Sequence, residues 1–250
     1  GDPMTPLVLL HAFPLESQMY AGVAHHWSGR LITPNLPGFG GTAVPEGEPS
    51  LDVYADVVAA ELDQLGLDRV VLGGTSMGGY AAMAFCRRHG DRLAGLALID
   101  TKASADHPDG AAGRRAMADT MEQGHTSEPL IELVFPKLLG ETTKRERPEV
   151  VTQVQGWVRD APPASAAYAQ RAMAGRPDSF DTLQVISVPT LVIVGAEDVL
   201  TPPTEADQMV EALTDVELVR IENVGHLTPV EAPLEVSAAL EQLMSRVDTA

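Results

Sequence analysis

Ser76, Asp198 and His226 are of the three types that make a serine nucleophile work. A serine hydroxyl is a poor nucleophile at neutral pH; it needs a base within hydrogen-bond reach and a group that orients the base. Ser76 lies in Gly74-Thr75-Ser76-Met77-Gly78, between the apolar run Arg69-Val70-Val71-Leu72-Gly73 and the alanine-rich Gly79–Phe85. Glycines at −2 and +2 are what a sharp strand-to-helix turn needs, because a side chain at either place collides with the neighbouring strand or helix. Such a turn holds the hydroxyl out on a tip with the next backbone N–H beside it. The pentapeptide alone is a weak signal; the strand–turn–helix context makes it a strong one, against the plain reading of a serine in a glycine-rich turn.

The partners follow in a telling order. Pro189–Gly195 reads as a second apolar strand and runs into the polar loop that carries Asp198. Glu217–Ile221 reads as a third and leads to Asn223-Val224-Gly225-His226. Ser76, Asp198 and His226 thus each follow the C-terminal end of a strand, and in a parallel sheet those ends share one edge, where open α/β sheets place their sites. Asp100, which ends the strand around Leu96–Ile99, is an alternative acid; Asp198 is favoured. Of the other histidines, His11 reads as an orderer of its own loop, and His25 and His26 as a solvated pair. No His, Cys, Asp or Glu cluster has metal-ligand spacing, and no glycine-rich phosphate or dinucleotide loop occurs, so neither metal nor cofactor is expected.

The elements that must position these residues alternate. Strands are expected at Leu7–His11, Leu31–Pro34, Val70–Gly73, Gly95–Asp100, Thr190–Gly195 and Glu217–Ile221, and helices at Ser50–Leu65, Met77–His89, Pro203–Leu213 and Leu234–Val247. Leu51, Tyr54, Val58, Leu62 and Leu65 recur at helical spacing and read as core. This alternation argues an α/β fold with a mainly parallel sheet of about six strands. Between Asp100 and Pro189 the strand signal vanishes in favour of helices at Ala112–Gln123, Glu128–Leu139, Pro148–Asp160 and Pro163–Ala174, with Thr142–Arg147 as a solvated linker. The division is a core of residues 1–101 and 183–250 with a helical insert of residues 102–182.

The stretches Leu10-His11-Ala12-Phe13-Pro14, Pro34–Gly40, the turn at Ser76, Gly195-Ala196-Glu197-Asp198 and Gly225-His226 together resemble the α/β-hydrolases, in particular the small esterases, 3-oxoadipate enol-lactonases and cofactor-free perhydrolases. The resemblance implies a Ser76–His226–Asp198 triad and an oxyanion hole from the backbone N–H groups of Phe13 and Met77, with Ala12 where relatives usually carry glycine. It implies that the insert caps the active edge, with Phe135 and Trp157 expected to face the pocket. Its lactonase branch would need a cap arginine to meet a substrate carboxylate, with Arg114, Arg115, Arg159 and Arg171 as candidates. Many relatives open with an antiparallel hairpin, for which there is no room before Leu7. The implied function is hydrolysis of a small or medium ester or lactone. Carbon–carbon bond hydrolysis, elimination or perhydrolysis on the same triad, and ligand binding without catalysis, stand as alternatives.

Composition bounds the rest. The 250 residues carry 35 Asp and Glu against 17 Lys and Arg, a formal charge of −18. Nucleic acid and anionic membranes are excluded as partners, because phosphate binding needs clustered cations. The long-range field mildly disfavours anionic substrates. Cys86 is the single cysteine and reads as a small buried hydrophobe. No apolar run is long enough to cross a bilayer, and a first strand at Leu7 leaves no place for a signal peptide, so a cytoplasmic enzyme is expected. Gly1-Asp2-Pro3 before Met4 reads as an addition to a natural start at Met4.

Overall fold

The structure, a computed structural model, describes residues 5–248, so the reading of Met4 as the start lies outside it. Six strands, β1 (Leu7–Leu10), β2 (Leu31–Ile32), β3 (Val70–Thr75), β4 (Leu93–Ile99), β5 (Thr190–Gly195) and β6 (Val216–Ile221), form one sheet. Its order is β2-β1-β3-β4-β5-β6, and every pairing is parallel. The chain moves outward from β1 to β2, then returns to the other side of β1 for β3. The C-terminal ends of β1 and β3 therefore flank the point where the winding reverses, the usual crevice for a ligand in such sheets.

Helices cover both faces, which explains why the central strands read as unbroken apolar runs. β1, β3 and β5 are buried throughout, whereas β6 is half-exposed at the edge. On one face α2 (Leu51–Gln64) packs on α3 (Met77–His89), and on the other α1 (Ala21–His26) packs on α11 (Pro233–Asp248); α9 (Pro203–Ala212) lies against β5 and β6. The Ser50 hydroxyl caps α2 by accepting from the Asp52 N–H at 3.1 Å, and Gly66, at φ +70°, turns the chain out of it. Leu51, Tyr54, Val58 and Leu62 are buried as their spacing requires. Leu65 is not: it sits at the C-cap, past the last helical residue, and is 49% exposed.

Between β4 and β5 the chain is helical: α4 (Pro108–Gly124), a π turn (Leu130–Val134), a 3-10 turn (Phe135–Lys137), α5 (Glu141–Glu146), α6 (Pro148–Arg159), α7 (Pro163–Ala174) and α8 (Phe180–Gln184). α4 and α7 pack along each other, and both bury small and flexible residues, Ala111, Ala118 and Met121 on α4 and Ala166, Ala169 and Met173 among those on α7. Two expectations are corrected here. The helix expected at Glu128–Leu139 is broken at Pro136, which lacks an N–H and crowds the preceding turn. The expected linker Thr142–Arg147 is mostly helix α5, with Thr143 fully buried. The short α10 (Thr228–Glu231) follows His226 directly.

Candidate active site

The turn after β3 has the strain its glycines suggest. Ser76 sits at φ +54°, ψ −112°, a conformation that L side chains rarely adopt. A Cβ on Gly74 would strike the Gly78 carbonyl, and one on Gly78 would strike the Leu10 carbonyl at the end of β1. The turn is tied down on all sides: the Ser76 N–H donates to the Ile99 carbonyl at 2.9 Å, and the Ser76 carbonyl accepts from the Thr101 hydroxyl at 2.8 Å.

The Ser76 hydroxyl lies 2.8 Å from His226 Nε2, and His226 Nδ1 lies 3.0 and 2.9 Å from the two Asp198 carboxylate oxygens. Because a carboxylate only accepts, Nδ1 carries the proton and Nε2 is left to accept from the serine. The carboxylate is held in turn: Oδ1 accepts from the N–H groups of Leu200 and Thr201 at 2.9 and 3.0 Å, and Oδ2 from the Thr201 hydroxyl at 2.9 Å. Asp198 and His226 are each 3% exposed, so the relay is shielded from water everywhere but at the serine. Asp100 has a different place. Its carboxyl accepts from Gly195 N–H, Thr228 N–H and the Thr228 hydroxyl, tying β4 to β5 and to the start of α10. Burial and the nearby Asp198 charge push its titration well above the ordinary carboxylate range. It makes no bond to His226.

The loop after β1 is equally constrained. His11 Nε2 accepts from the Leu36 N–H at 2.9 Å, so the proton is on Nδ1, which donates to the Ala12 carbonyl at 3.0 Å. Complete burial lowers its pKa to about 4, so the ring is neutral at physiological pH. The Tyr20 hydroxyl donates to the Leu10 carbonyl at 2.6 Å and lies 2.7 Å from the Thr75 hydroxyl, joining the ends of β1 and β3. This places Phe13 beside Ser76 in the wall of one cavity. Met77 is the first residue of α3, so its N–H has no partner within the helix; its side chain is wholly buried in the core rather than in the cavity wall.

Sequence reasoning did not single out a buried clasp at the back of His226. Glu231 is 2% exposed. Its Oε2 accepts from Gly225 N–H and Leu227 N–H, both at 3.0 Å, and so brackets His226. Its Oε1 accepts from Gly140 N–H at 2.8 Å and the Thr143 hydroxyl at 2.7 Å at the start of α5. Glu197, beside Asp198, accepts from the Thr142 N–H and hydroxyl at 2.9 and 2.6 Å, and these bonds hold it below the usual carboxylate range. The only local signals are an acid five residues after the histidine and a threonine, Thr201, three after the aspartate, a spacing that suits side-chain capture of backbone N–H groups.

A cavity of about 130 Å³ opens over Ser76 and His226. Phe13, Tyr80, Leu200 and Thr201 of the sheet-bearing part line it together with Leu133, Val134, Leu138, Gln170 and Met173 of the helical segment. The two aromatic residues expected in its wall are not there. Trp157 lines a separate depression with Pro14, Phe39 and Pro162, because it lies on the face of α6 turned toward the loop after β1. Phe135 packs part-buried against the core, and its neighbours Val134 and Lys137 face the cavity instead. Of the arginines considered, only Arg114 reaches it. Among the described residues no group of three or more His, Cys, Asp or Glu is placed to hold a metal ion, and no helix is long and apolar enough to cross a membrane.

Comparison with known proteins bears on the fold and the family. A solved thermophilic esterase from Thermogutta terrifontis, in a malate-bound form, superposes with a TM-score of 0.93 at 39% identity, covering 97% of this chain and 90% of that one. Pimeloyl-[acyl-carrier protein] methyl ester esterase of Aromatoleum aromaticum is 28% identical over 95% of this chain and 97% of its own length. 3-Oxoadipate enol-lactonase 2 of Acinetobacter baylyi is 26% identical over 86% of this chain and 79% of its own. Residues 5–233 match the model of the alpha/beta hydrolase fold, and the chain belongs to that family.

Proposed function

We propose that this protein is a serine hydrolase that cleaves a small or medium carboxylic ester or lactone through an acyl-enzyme. The observation that carries the reading is the unbroken chain of hydrogen bonds from Ser76 through His226 to Asp198. Ser76 attacks the carbonyl carbon while His226 Nε2 takes its proton; the same nitrogen then delivers that proton to the leaving alcohol. Asp198 keeps the ring in the tautomer that can accept and stabilises the imidazolium that forms. The N–H groups of Phe13 and Met77 receive the oxyanion, each contributing about 3 kcal/mol to the transition state. Water then enters, His226 removes its proton, and the acyl–serine bond breaks.

Residues 102–182 act as a cap on a core of residues 1–101 and 183–250. The cavity supports this, since one wall belongs to each part. The apolar portion of that wall suits a modest acyl or alcohol group. The esterase and lactonase activities named for the relatives support the same class of substrate.

The test is hydrolysis of p-nitrophenyl butyrate by the parent, Ser76→Ala and Asp198→Asn. The expected result is Ser76-dependent turnover, with kcat reduced by roughly a thousandfold or more in both variants. A parent without turnover on short esters and lactones, or a Ser76→Ala variant that keeps it, overturns the proposal.

A further inference from the structure

Asp and Glu outnumber Lys and Arg in this chain by 35 to 17. The cavity over Ser76 reverses that balance: Lys102, Arg114 and Lys137 line it, and no acidic side chain does. The three come from separate elements, Lys102 from the loop after β4, Arg114 from α4 and Lys137 from the 3-10 turn after the π turn. Their convergence is a property of the assembled site and not of one basic stretch.

The surroundings compensate this charge only in part. Behind the wall, Asp106 accepts from Arg114 Nε at 2.6 Å and Arg176 Nη2 at 2.9 Å, and lies 3.9 Å from Lys102 Nζ. One carboxylate is thus shared by three cations. The Arg176 guanidinium also lies 3.9 Å above the ring of Tyr80, itself a wall residue. A further acid, Glu205, accepts from the Ser104 hydroxyl at 3.0 Å and, with Asp106, favours the charged form of Lys102. Arg114 donates a second bond to Gln170 Oε1 at 2.8 Å, which leaves three of its five N–H donors for a ligand. Lys137 makes no ion pair or side-chain hydrogen bond among the described residues. Burial first, and then the neighbouring Arg176, hold the Lys102 ammonium below its ordinary range against the opposing influence of Asp106 and Glu205.

We propose that Lys102, Arg114 and Lys137 form a carboxylate subsite, and that the ester or lactone cleaved at Ser76 carries a free carboxylate elsewhere in the molecule. This rests on the serine-hydrolase reading above and adds the substrate class. The apolar residues of the same wall, Leu133, Val134, Leu138 and Met173, are available to the hydrocarbon spacer, and the three cations to the charged end. The subsite also offsets the repulsion that a chain of charge −18 exerts on an approaching anion. Because the cations are only partly buried, the preference should weaken as salt is added.

The test has two independent readouts. In the first, kcat/KM for 4-nitrophenyl hydrogen adipate is compared with that for its neutral methyl ester, in the parent and in Lys102→Met and Lys137→Met. The expected result is a tenfold or larger preference of the parent for the charged ester, a preference reduced severalfold in each variant and lowered by 0.5 M sodium chloride. Ser76-dependent turnover of the neutral ester with no preference for the charged one overturns the subsite and leaves the hydrolase reading intact. The second readout needs no turnover: calorimetric titration of glutarate and of glutaramide into the Ser76→Ala protein. Glutarate should bind at least tenfold more tightly than the diamide, and the gap should shrink when Lys137→Met is added. Equal affinity for acid and diamide contradicts the proposal, whatever the outcome with esters.

Discussion

The sheet edge that carries Ser76, Asp198 and His226 and the helical segment above it are held together by different means. At the edge, backbone meets backbone: glycines at 74 and 78 stand where any side chain would strike a carbonyl, and Asp198 is fixed by two N–H groups and a hydroxyl from its own loop. The helical segment packs within itself through alanines and methionines. It meets the edge through a few side chains, chiefly Glu231 and Glu197 gripping the start of α5. Under the proposed function the contrast is a division of labour: the edge would hold the reacting atoms in place chiefly through backbone groups, and the helical segment would set which molecule enters through side chains that can be exchanged singly.

The sharpest way to break this comparison is Gly78→Ala. The added methyl meets the backbone of β1, which cannot swing aside as a side chain can. A loss of about 3 kcal/mol or more in chemical denaturation is expected, with ester turnover lost alongside it. The same change at Gly156, on α6 of the helical segment, meets nothing within 4 Å and should be neutral or slightly stabilising.

His11 gives an effect of similar size confined to acid. Its folded pKa of about 4 lies below the ordinary value of 6.5, so the unfolded chain binds the proton more readily. Stability is therefore full above pH 6.5 and declines as pH falls toward 4, by about 3 kcal/mol from this group. The slope of unfolding free energy against pH in that window should be shallower by about one proton in His11→Asn. An unchanged slope would contradict the buried neutral ring.

Glu231→Gln probes the clasp between the two regions. An amide cannot accept on its NH2 side, so two of the four donors now bonded lose their acceptor, at a cost of about 2 kcal/mol. Because two of those donors flank His226, kcat should fall several-fold while KM changes less. A stability loss with kcat untouched would mean that the clasp holds the helices and not the histidine.

Arg171→Ala completes the series. It removes exposed pairs with Asp119 and Glu122 across α4 and α7, and surface pairs of this kind contribute about 0.5 kcal/mol. A shift of a degree or two in Tm is expected, with turnover unchanged.

The same contrast explains what was legible in the sequence. The strands stood out because burial on both faces demands unbroken apolar runs, and Val70–Thr75 and Thr190–Gly195 have them. Ser76, Asp198 and His226 were readable as neighbours because parallel strands deliver their C-terminal ends to one edge. The competing Asp100 is not separable by position, since it also ends a strand; what distinguishes the two is that His226 bonds Asp198, while Asp100 is taken up by Thr228 and Gly195. The cavity wall was the least legible part. Phe135 and Val134 are adjacent, and which of them faces Ser76 depends on the π and 3-10 turns that Pro136 imposes. The clasp on α5 depends on Glu231 and Glu197, which are distant in sequence, so no local pattern marks Thr142 and Thr143 as anything but solvated.

Activation of Ser76 by His226 is tested most directly by the intact mass of the protein after treatment with a small aryl phosphonate. One stoichiometric adduct is expected on the parent, absent from Ser76→Ala and formed far more slowly in Asp198→Asn. A parent that takes up no adduct, or a Ser76→Ala protein that still does, would contradict that activation.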